Sequence, residues 1–563
     1  MPEKVLIGVA WPYANGPLHL GHIAGCYLPA DIFARYHRMR GNQVLMVSGS
    51  DQHGTPITIR AEQEGTTPQE IVRKYHADFL ASWQKLGISF DLYTSTGTDN
   101  HRDTVHDIFL TLLHKGYIYP HTTDQPFCPR DLRFLPDRYV NGTCPNCHFE
   151  RARGDQCDRC GKTLNPQDLV DPRCRLCGAT PQIRATEHLF FRLSAFQESL
   201  LQWVKEQRHW RPNVLNFTLN WLTEGLKDRP ITRDIEWGIP VPIDSPDFLQ
   251  KRIYVWFEAV IGYLSAAREW AHRQGQPDKW MEFWQDPACK AYYFIGKDNI
   301  PFHTIIWPAM LLGYGSLNLP YDVPANEFLS LEGNKFSTSE NWAVWLPDYL
   351  SRYDPDPLRY YLAAIMPETA DADFSWQGFF HRNNDELVGT YGNLVHRILT
   401  FTHRHFQGRL PQPEALQPQD QELLDKSSAS LDGVGRSLAS CSFRQALSSA
   451  MALAQAANRY VDAQAPWKSL TENRARTATT LWTTLYAISA LKTALHPFLP
   501  FSSQRLHQMM GLPGDPAGAG WAIQAPTPGA PIPQPTPLFK KLDDSIVEEE
   551  LARLSSQRSV AKT

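Results

Sequence analysis

An unbroken apolar run from Val5 to Ala10 is followed by a helical pattern to Gly41. Gln43 to Ser48 is strand-like again and ends in Gly-Ser-Asp-Gln-His-Gly. This alternation predicts a βαβ unit and a parallel sheet. Strand-like sequence resumes at Ile253–Trp256 and at Ala291–Ile295, the latter running into Gly296-Lys297-Asp298. Over 118–230 the periodicity gives way to cysteines, prolines and charges, which predicts a module inserted into the sheet. After residue 380 the pattern is helical. Leu387, Tyr391, Leu394, Val395 and Ile398 form one apolar stripe, and Leu481, Leu485, Ile488, Leu491 and Leu495 form another. The Pro/Gly/Ala-rich stretch from Leu512 to Pro537 reads as a linker, and the charged tail from Leu542 as a short terminal helix. The expected class is α/β: a Rossmann-like parallel-sheet domain split by a zinc-knuckle insertion and followed by an all-α helical bundle.

At 563 residues the chain is too long for one core and fits roughly three or four domains. A hydrophobic content of 42% and a charged content of 20% are ordinary for a globular protein. Net charge is only -4, so a nucleic-acid partner must be met by local basic patches rather than a global field. Lys4 leads straight into strand-like sequence, which argues against a signal peptide. No apolar run reaches the roughly 18 residues of a membrane span. The expectation is a cytoplasmic protein without a membrane partner.

Three segments place polar residues where strands should end: His19 to His22, Asp51 to His53, and Gly296 to Asp298. In open α/β sheets, ligands bind beyond the carboxyl ends of the strands. In Trp-Pro-Tyr-Ala-Asn-Gly-Pro-Leu-His-Leu-Gly-His, Trp11 to His22, the two histidines fall in the first turn of a helix whose amide N–H groups and dipole favour an anion. His19 and His22, one turn apart, could donate hydrogen bonds to a phosphate as charge builds on it. Gly21 lacks a Cβ and allows a ligand close to the backbone.

Six of the ten cysteines form three C-x-x-C pairs between Cys144 and Cys177, which is metal spacing in a reducing compartment. Cys144 and Cys147, then nine residues, then Cys157 and Cys160, fit a closed tetrahedral zinc site that contributes folding energy. Cys174 and Cys177 need two more ligands, and Cys128 with Asp131 repeats the spacing with a carboxylate, giving a second zinc site. Cys26, Cys289 and Cys441 stand apart as buried thiols.

The signature His19-Leu-Gly-His22 has a later companion, Lys-Phe-Ser-Thr-Ser at 335–339, after the turn Leu-Glu-Gly-Asn. Between them lie Y-V-W-F-E-A-V-I-G-Y at 254–263 and F-I-G-K-D-N-I-P-F-H at 294–303, and the helical region adds G-N-L-V-H-R at 392–397 and A-N-R-Y-V-D-A-Q-A-P-W at 457–467. In this order, and across essentially the whole chain, these segments resemble the class I aminoacyl-tRNA synthetases, specifically the methionyl-tRNA synthetases. The resemblance implies activation of L-methionine with ATP and Mg2+ to methionyl-adenylate, then transfer to the terminal adenosine of tRNA(Met), for elongation and initiation.

By resemblance His19, Gly21, His22, Gly296, Asp298, Lys335 and Thr338 hold ATP, with His19, His22 and Lys335 catalytic. Ala10, Trp11, Tyr13, Trp256, Ala259, Tyr263 and His303 match the methionine slot, where aromatic rings suit a thioether. Asp51 matches the residue that takes the substrate ammonium, and Arg233 an arginine near the substrate. Asn393, Arg397 and Trp467 match the readers of a CAU anticodon. Some family members carry leucine at Trp11 and proline at Val260, so the slot wall differs here. The common K-M-S-K-S loop has a second lysine where this chain has Thr338. Either another cation, such as Lys297, replaces it, or the loop acts through Lys335, Ser337 and backbone.

The implied domains are 1–117 and 231–320 for the two catalytic halves, 118–230 for the zinc-binding connective insertion and 321–380 for the stem-contact region with the KFSTS loop. A bundle at 381–510 would bind the anticodon, and 511–563 would be linker and tail. No appended dimerisation module is recognisable, which implies a monomer. A small-molecule nucleotidyltransferase shares the H-x-G-H signature but needs neither bundle nor insertion. A non-catalytic zinc-ribbon RNA-binding protein leaves the three strand-end clusters unexplained. The leucine, isoleucine and valine synthetases carry much larger insertions than this one.

Overall fold

The computed structural model describes residues 2–136, 139–154, 157, 159, 160, 162, 164–338 and 340–560. Its centre is a five-stranded, all-parallel sheet: β1 (Lys4–Val9), β2 (Gln43–Ser50), β3 (Leu92–Ser95), β4 (Lys290–Gly296) and β5 (Ala325–Asn326), in the spatial order β5-β4-β1-β2-β3. Strands buried on both faces read as continuous apolar runs, and Val5, Leu6, Ile7 and Val9 are accordingly in the core. The chain winds one way through β1, β2 and β3, then crosses to the other side of β1 for β4 and β5. The β1/β4 boundary is therefore the topological switch point.

The crossover from β3 to β4 carries the insertion. Ile118–Cys128 and Gln182–Phe191 pair antiparallel as a two-stranded arm, from Ile118 opposite Phe191 to Phe127 opposite Gln182. At its tip, Val140–Thr143 pairs with Ala152–Arg153 and with Val170–Cys174 in a small sheet around the cysteines. Ile253–Trp256, expected as a strand, is not one. Only Arg252–Ile253 pairs, with Thr232–Arg233, and the chain turns at once into the helix Val255–Glu258. A short apolar run has no period that separates strand from helix, and burial accommodates either.

After β5, Leu329–Leu331 and Asn334–Lys335 form a hairpin whose corner residues, Glu332 (φ 50°) and Gly333 (φ 73°), are both left-handed, as its tight turn requires. The helices Asn393–His405, Pro418–Ala439, Phe443–Gln464 and Arg474–Leu495 make the bundle. The 512–537 stretch has no helix or strand, as expected, yet it is a packed strap rather than a free linker. Ile532 is buried, Trp521 meets Tyr36 edge-on, and Trp482 donates its indole N–H to the Pro526 carbonyl. Proline and alanine bury apolar surface without needing periodicity, so composition alone misread the stretch. The tail forms the helix Ile546–Val560, and Arg558 reaches back to Glu340 beside the KFSTS loop. No helix among the described residues is long and apolar enough to cross a membrane.

One buried ion pair ties these parts together. Asp31 and Arg359 are both fully buried and meet at 2.7 Å. Arg359 also donates to the Pro497 and Phe498 carbonyls at the last corner of the bundle, while Asp31 accepts from Arg35 and Ser89. Burial works to raise the Asp31 carboxyl, but the Arg35 and Arg359 charges outweigh it and hold the group below the usual carboxylate range. A depressed carboxyl adds stability above its unfolded value, roughly pH 4, and loses it as pH falls further. Asp31→Asn leaves Arg359 buried beside a neutral partner and should cost about 3–5 kcal/mol, read as a lower urea midpoint. An unchanged midpoint would remove the pair from this role.

Candidate active site

β1, β2 and β4 end at the same edge of the sheet and deliver the three predicted clusters there. His19 caps the helix that starts at Leu20, and the two rings are fixed by backbone donors. The Gly21 amide donates to His19 Nδ1, and the His19 amide donates to His22 Nδ1, both at 3.1 Å. A ring nitrogen that accepts carries no proton, so both imidazoles are held in the tautomer with hydrogen on Nε2. Burial pushes both below the ordinary histidine value, His22 to about 4 and His19 with a further push from His22. The site therefore presents two neutral N–H donors. A Cβ at Gly21 would lie 2.9 Å from the His19 ring, so the glycine also makes room for the histidine.

The KFSTS loop lies over this pair. Phe336 stacks on His19 with ring centres 4.7 Å apart and 7° between planes, and His22 stacks on His19 at 3.8 Å. Leu20 and Leu346 exchange backbone hydrogen bonds with Val344 and Leu18, tying the segment after the loop to the histidine turn. Ser337 and Trp342 close the loop with a reciprocal backbone pair. Thr338 and Lys335 are exposed, and Ser339 lies outside the described residues. Lys297 is held by Glu327 at 2.7 Å and Asp371 at 2.9 Å. That double pairing makes it a poor replacement for the missing lysine and leaves Lys335 as the loop's cation. Asp298 sits exposed beside Lys297 at the end of β4, where a Cβ on Gly296 would meet nothing within 4 Å.

Beyond the ends of β1 and β2 is an open cleft lined by Tyr13, His53, Arg233, Trp237, Tyr254 and Trp256. Trp256 donates to the Tyr13 hydroxyl at 2.9 Å, Tyr13 bridges Asp51 in parallel, and Arg233 lies over the Tyr254 ring at 3.7 Å. Trp11 is wedged against Gly49 and Gly262, where added Cβ atoms would come within 2.4 and 2.8 Å of its ring. Its ring meets Tyr263 edge-on at 6.5 Å. His303 Nδ1 donates to the Asn299 carbonyl, so its Nε2 accepts from the Tyr263 hydroxyl at 2.7 Å. Ala10 pairs with Phe294 of β4, and Ala259 directly follows the helix carrying Trp256. Of the predicted methionine residues, Tyr13 and Trp256 line this cleft, and Trp11, Tyr263 and His303 make a connected wall of rings.

Sequence reasoning missed what lies behind that wall. Glu258 is fully buried, with His53 Nδ1 at 2.7 Å and His101 Nε2 at 2.6 Å on its two oxygens. Its signal was a lone acid within an apolar run, since a charge there must be paired. His101 had no comparable signal. Phe336, on the loop, was quoted without a role.

In the bundle, the Arg397 guanidinium lies over the Trp467 ring at 5.6 Å, and Asn393 is exposed one turn earlier on the same helix. The helix Phe443–Gln464 stops at Ala465, in left-handed conformation, and leaves Trp467 44% exposed at a corner, as Pro466 predicted. In the insertion, Cys144, Cys147, Cys157 and Cys160 gather their sulfurs within 4.8 Å of one another, and so do the ligand atoms of Cys128, Asp131, Cys174 and Cys177. Sulfur separations of 3.4 to 3.9 Å suit a tetrahedral zinc, whose bonds of about 2.3 Å to sulfur give edges of about 3.8 Å.

A split parallel sheet with paired histidines at its switch point, a cysteine-rich insertion and an α-helical C-terminal domain defines a class I aminoacyl-tRNA synthetase. The family described as "tRNA synthetases class I (M)" matches residues 5–399, and "Anticodon binding domain of methionyl tRNA ligase" matches 410–559. The chain is 56% identical to the methionine–tRNA ligase of Thermomicrobium roseum, over 99% of this chain and 100% of the relative. It is 58% identical to that of Dehalococcoides mccartyi, over 98% and 100%. Mycobacterium tuberculosis methionyl-tRNA synthetase, solved in complex with methionyl-adenylate, superposes with a TM-score of 0.79 at 26% identity, covering 95% of this chain and 99% of that one. The chain belongs to the methionine–tRNA ligase family and has methionine–tRNA ligase activity.

The ring geometry generates a direct prediction. With 15N-labelled histidine, His19 and His22 should keep the signature of neutral rings protonated at Nε2 from about pH 8 to about pH 5, where a free imidazole is mostly charged. Protonation of either ring near pH 6.5 would contradict the assignment.

Proposed function

We propose that this ligase activates L-methionine with ATP to methionyl-adenylate and pyrophosphate, and passes the methionyl group to the 3'-terminal adenosine of tRNA(Met). The observation that carries this reading is the meeting, beyond the carboxyl ends of adjacent strands of one sheet, of two locked Nε2–H donors and an aromatic cleft. Such chemistry asks a protein for positioning and charge stabilisation more than for a nucleophile.

In this account His19 and His22 donate to phosphate oxygens as charge builds on them. Their neutrality matters, because a ring already fixed as a donor needs no proton from solvent. Lys335 supplies the positive charge from the loop, Thr338 a hydroxyl donor, and Phe336 holds the loop over His19. The amides around Gly21 and Gly296 face the nucleotide, with Asp298 beside the ribose and phosphates; Mg2+ accompanies ATP. Asp51 takes the substrate ammonium, Arg233 lies near its carboxylate, and Ala10, Trp11, Tyr13, Trp256, Ala259, Tyr263 and His303 enclose the side chain. Because His303 Nε2 is occupied by the Tyr263 hydroxyl, that end of the slot offers a thioether no strong donor.

The catalytic parts fall at 1–117 and 231–320, the insertion at 118–230, the KFSTS region at 321–380, the anticodon domain at 381–510 and the strap with its tail at 511–563. Asn393, Arg397 and Trp467 read the CAU anticodon. Arg397 over the indole already pairs a cation with a stacking platform, the combination that binds unstacked bases. We read the chain as a monomer of the cytoplasm, where thiolates stay reduced.

Trp467→Ala should lower aminoacylation of tRNA(Met) by one to two orders of magnitude and leave methionine-dependent ATP–pyrophosphate exchange intact; base stacking on an aromatic is worth about 1–3 kcal/mol. Parallel loss of both would count against the assignment.

Both cysteine clusters fit zinc, with four thiolates in one and three thiolates plus the Asp131 carboxylate in the other. Metal analysis of the purified protein should give two zinc ions per chain, and Asp131→Ala should reduce that to one. A wild-type value of one would eliminate the second site.

A further inference from the structure

The network behind the methionine cleft has a proton count that the hydrogen bonds fix. Ser265 Oγ donates its only proton to the Gly262 carbonyl at 3.0 Å. The contact at 2.8 Å between His101 Nδ1 and that Oγ must then be a donation from the imidazole. His101 Nε2 faces Glu258 Oε2 at 2.6 Å, and neither atom can stand there without a proton between them. Whether that proton resides on the ring or on the carboxyl, Glu258 and His101 together carry no net charge. His53 completes the arrangement by donating from Nδ1 to Oε1, and its own amide donates to Asp51 Oδ1 at 3.1 Å. The Asp51 carboxylate and the Glu258 network are therefore joined through His53.

Asp51 is itself buried, and among the described residues no cationic side chain is recorded on its carboxylate. The ionisable groups around it are Glu258 and His53, His101 behind Glu258, Tyr13 bridged to its backbone, Arg233 on the cleft wall, and His76, bonded to the neighbouring Ser50. A second bare carboxylate in this enclosure would oppose ionisation of Asp51. Burial, and then the Glu258 charge, push the Asp51 carboxyl above its ordinary range. For Glu258, burial works upward and the two histidines outweigh it.

We infer that His101 is a positioning residue for amino-acid binding: by sharing a proton with Glu258 it cancels that buried charge and lets Asp51 ionise against the substrate ammonium. This rests on the assignment of Asp51 to the ammonium. His101 touches no substrate and acts only through Glu258.

The test is the pH profile of kcat/KM for methionine in ATP–pyrophosphate exchange, whose acid limb reports the free enzyme. His101→Gln keeps a donor for Glu258 but cannot hold the extra proton. Its acid limb should move up by about one pH unit, a roughly tenfold loss on the limb, with KM for ATP unchanged. Glu258→Gln replaces a net-neutral pair with another one, since its amide can donate to His101 and accept from His53. Its limb should stay in place, and the double variant should return to the wild-type limb. A limb unmoved in His101→Gln, or moved down in Glu258→Gln, overturns the inference. If His101→Gln does not fold, Glu258→Gln alone decides by the same criterion. Asp51→Asn separates the two layers. An unchanged KM for methionine there removes the ammonium assignment itself, while a large rise there with an unmoved limb in His101→Gln removes only the role of His101.

Discussion

The parallel pairing of β1 with β2 on one side and β4 on the other is the constraint on which the rest of the molecule depends. It forces three chain segments, separated by up to about 250 residues of intervening sequence, to end at one edge of one sheet. The histidine turn, Asp51 and the Gly296–Asp298 segment share a site because of that pairing. The insertion is tolerated for the same reason. A crossover between β3 and β4 needs only to leave and return at the sheet, and an antiparallel arm does both.

Two buried acids mark where this frame is joined to its surroundings. Asp31, with Arg35 and Arg359, connects the first catalytic half to the helix Pro355–Ala364 and the end of the bundle. Glu258, with His53 and His101, connects the end of β2, the helix Asp99–His114 and the wall of the aromatic cleft. A carboxylate out of water is costly unless paired, so each acid holds its partners in place. The first fixes how the anticodon domain sits on the catalytic domain. The second sets the charge balance beside Asp51. Segments in π-helical geometry adjoin residues expected to be functional: Ile23–Tyr27 follows the histidine turn, Phe302–Ile306 carries His303, and Arg382–Gly392 leads into Asn393. Such turns rotate side chains out of the regular helical register and are frequent at functional sites.

Much of this was legible in the sequence because it depends on local chemistry. Val5–Ala10 is apolar on every residue and could only be a buried strand or helix core. The cysteine spacing is dictated by a metal's coordination sphere, and both predicted ligand sets converge in space. Trp467 after Pro466 had to leave its helix. The failures are equally physical. Ile253 to Trp256 is apolar without a period, so the start of the helix Val255–Glu258 was read as a strand. The 512–537 strap packs through prolines, a tryptophan and an isoleucine that follow no repeat. The partners of Glu258 come from positions 53 and 101, and only the fold brings them within 3 Å.

The central claim is that this site selects and adenylates methionine, and ATP–pyrophosphate exchange measured with each of the standard amino acids in turn tests it most directly. The account predicts exchange with methionine at least about a hundredfold above any other amino acid, the discrimination a shaped apolar slot supplies against near isosteres. Equal or faster exchange driven by leucine, isoleucine or valine would contradict it.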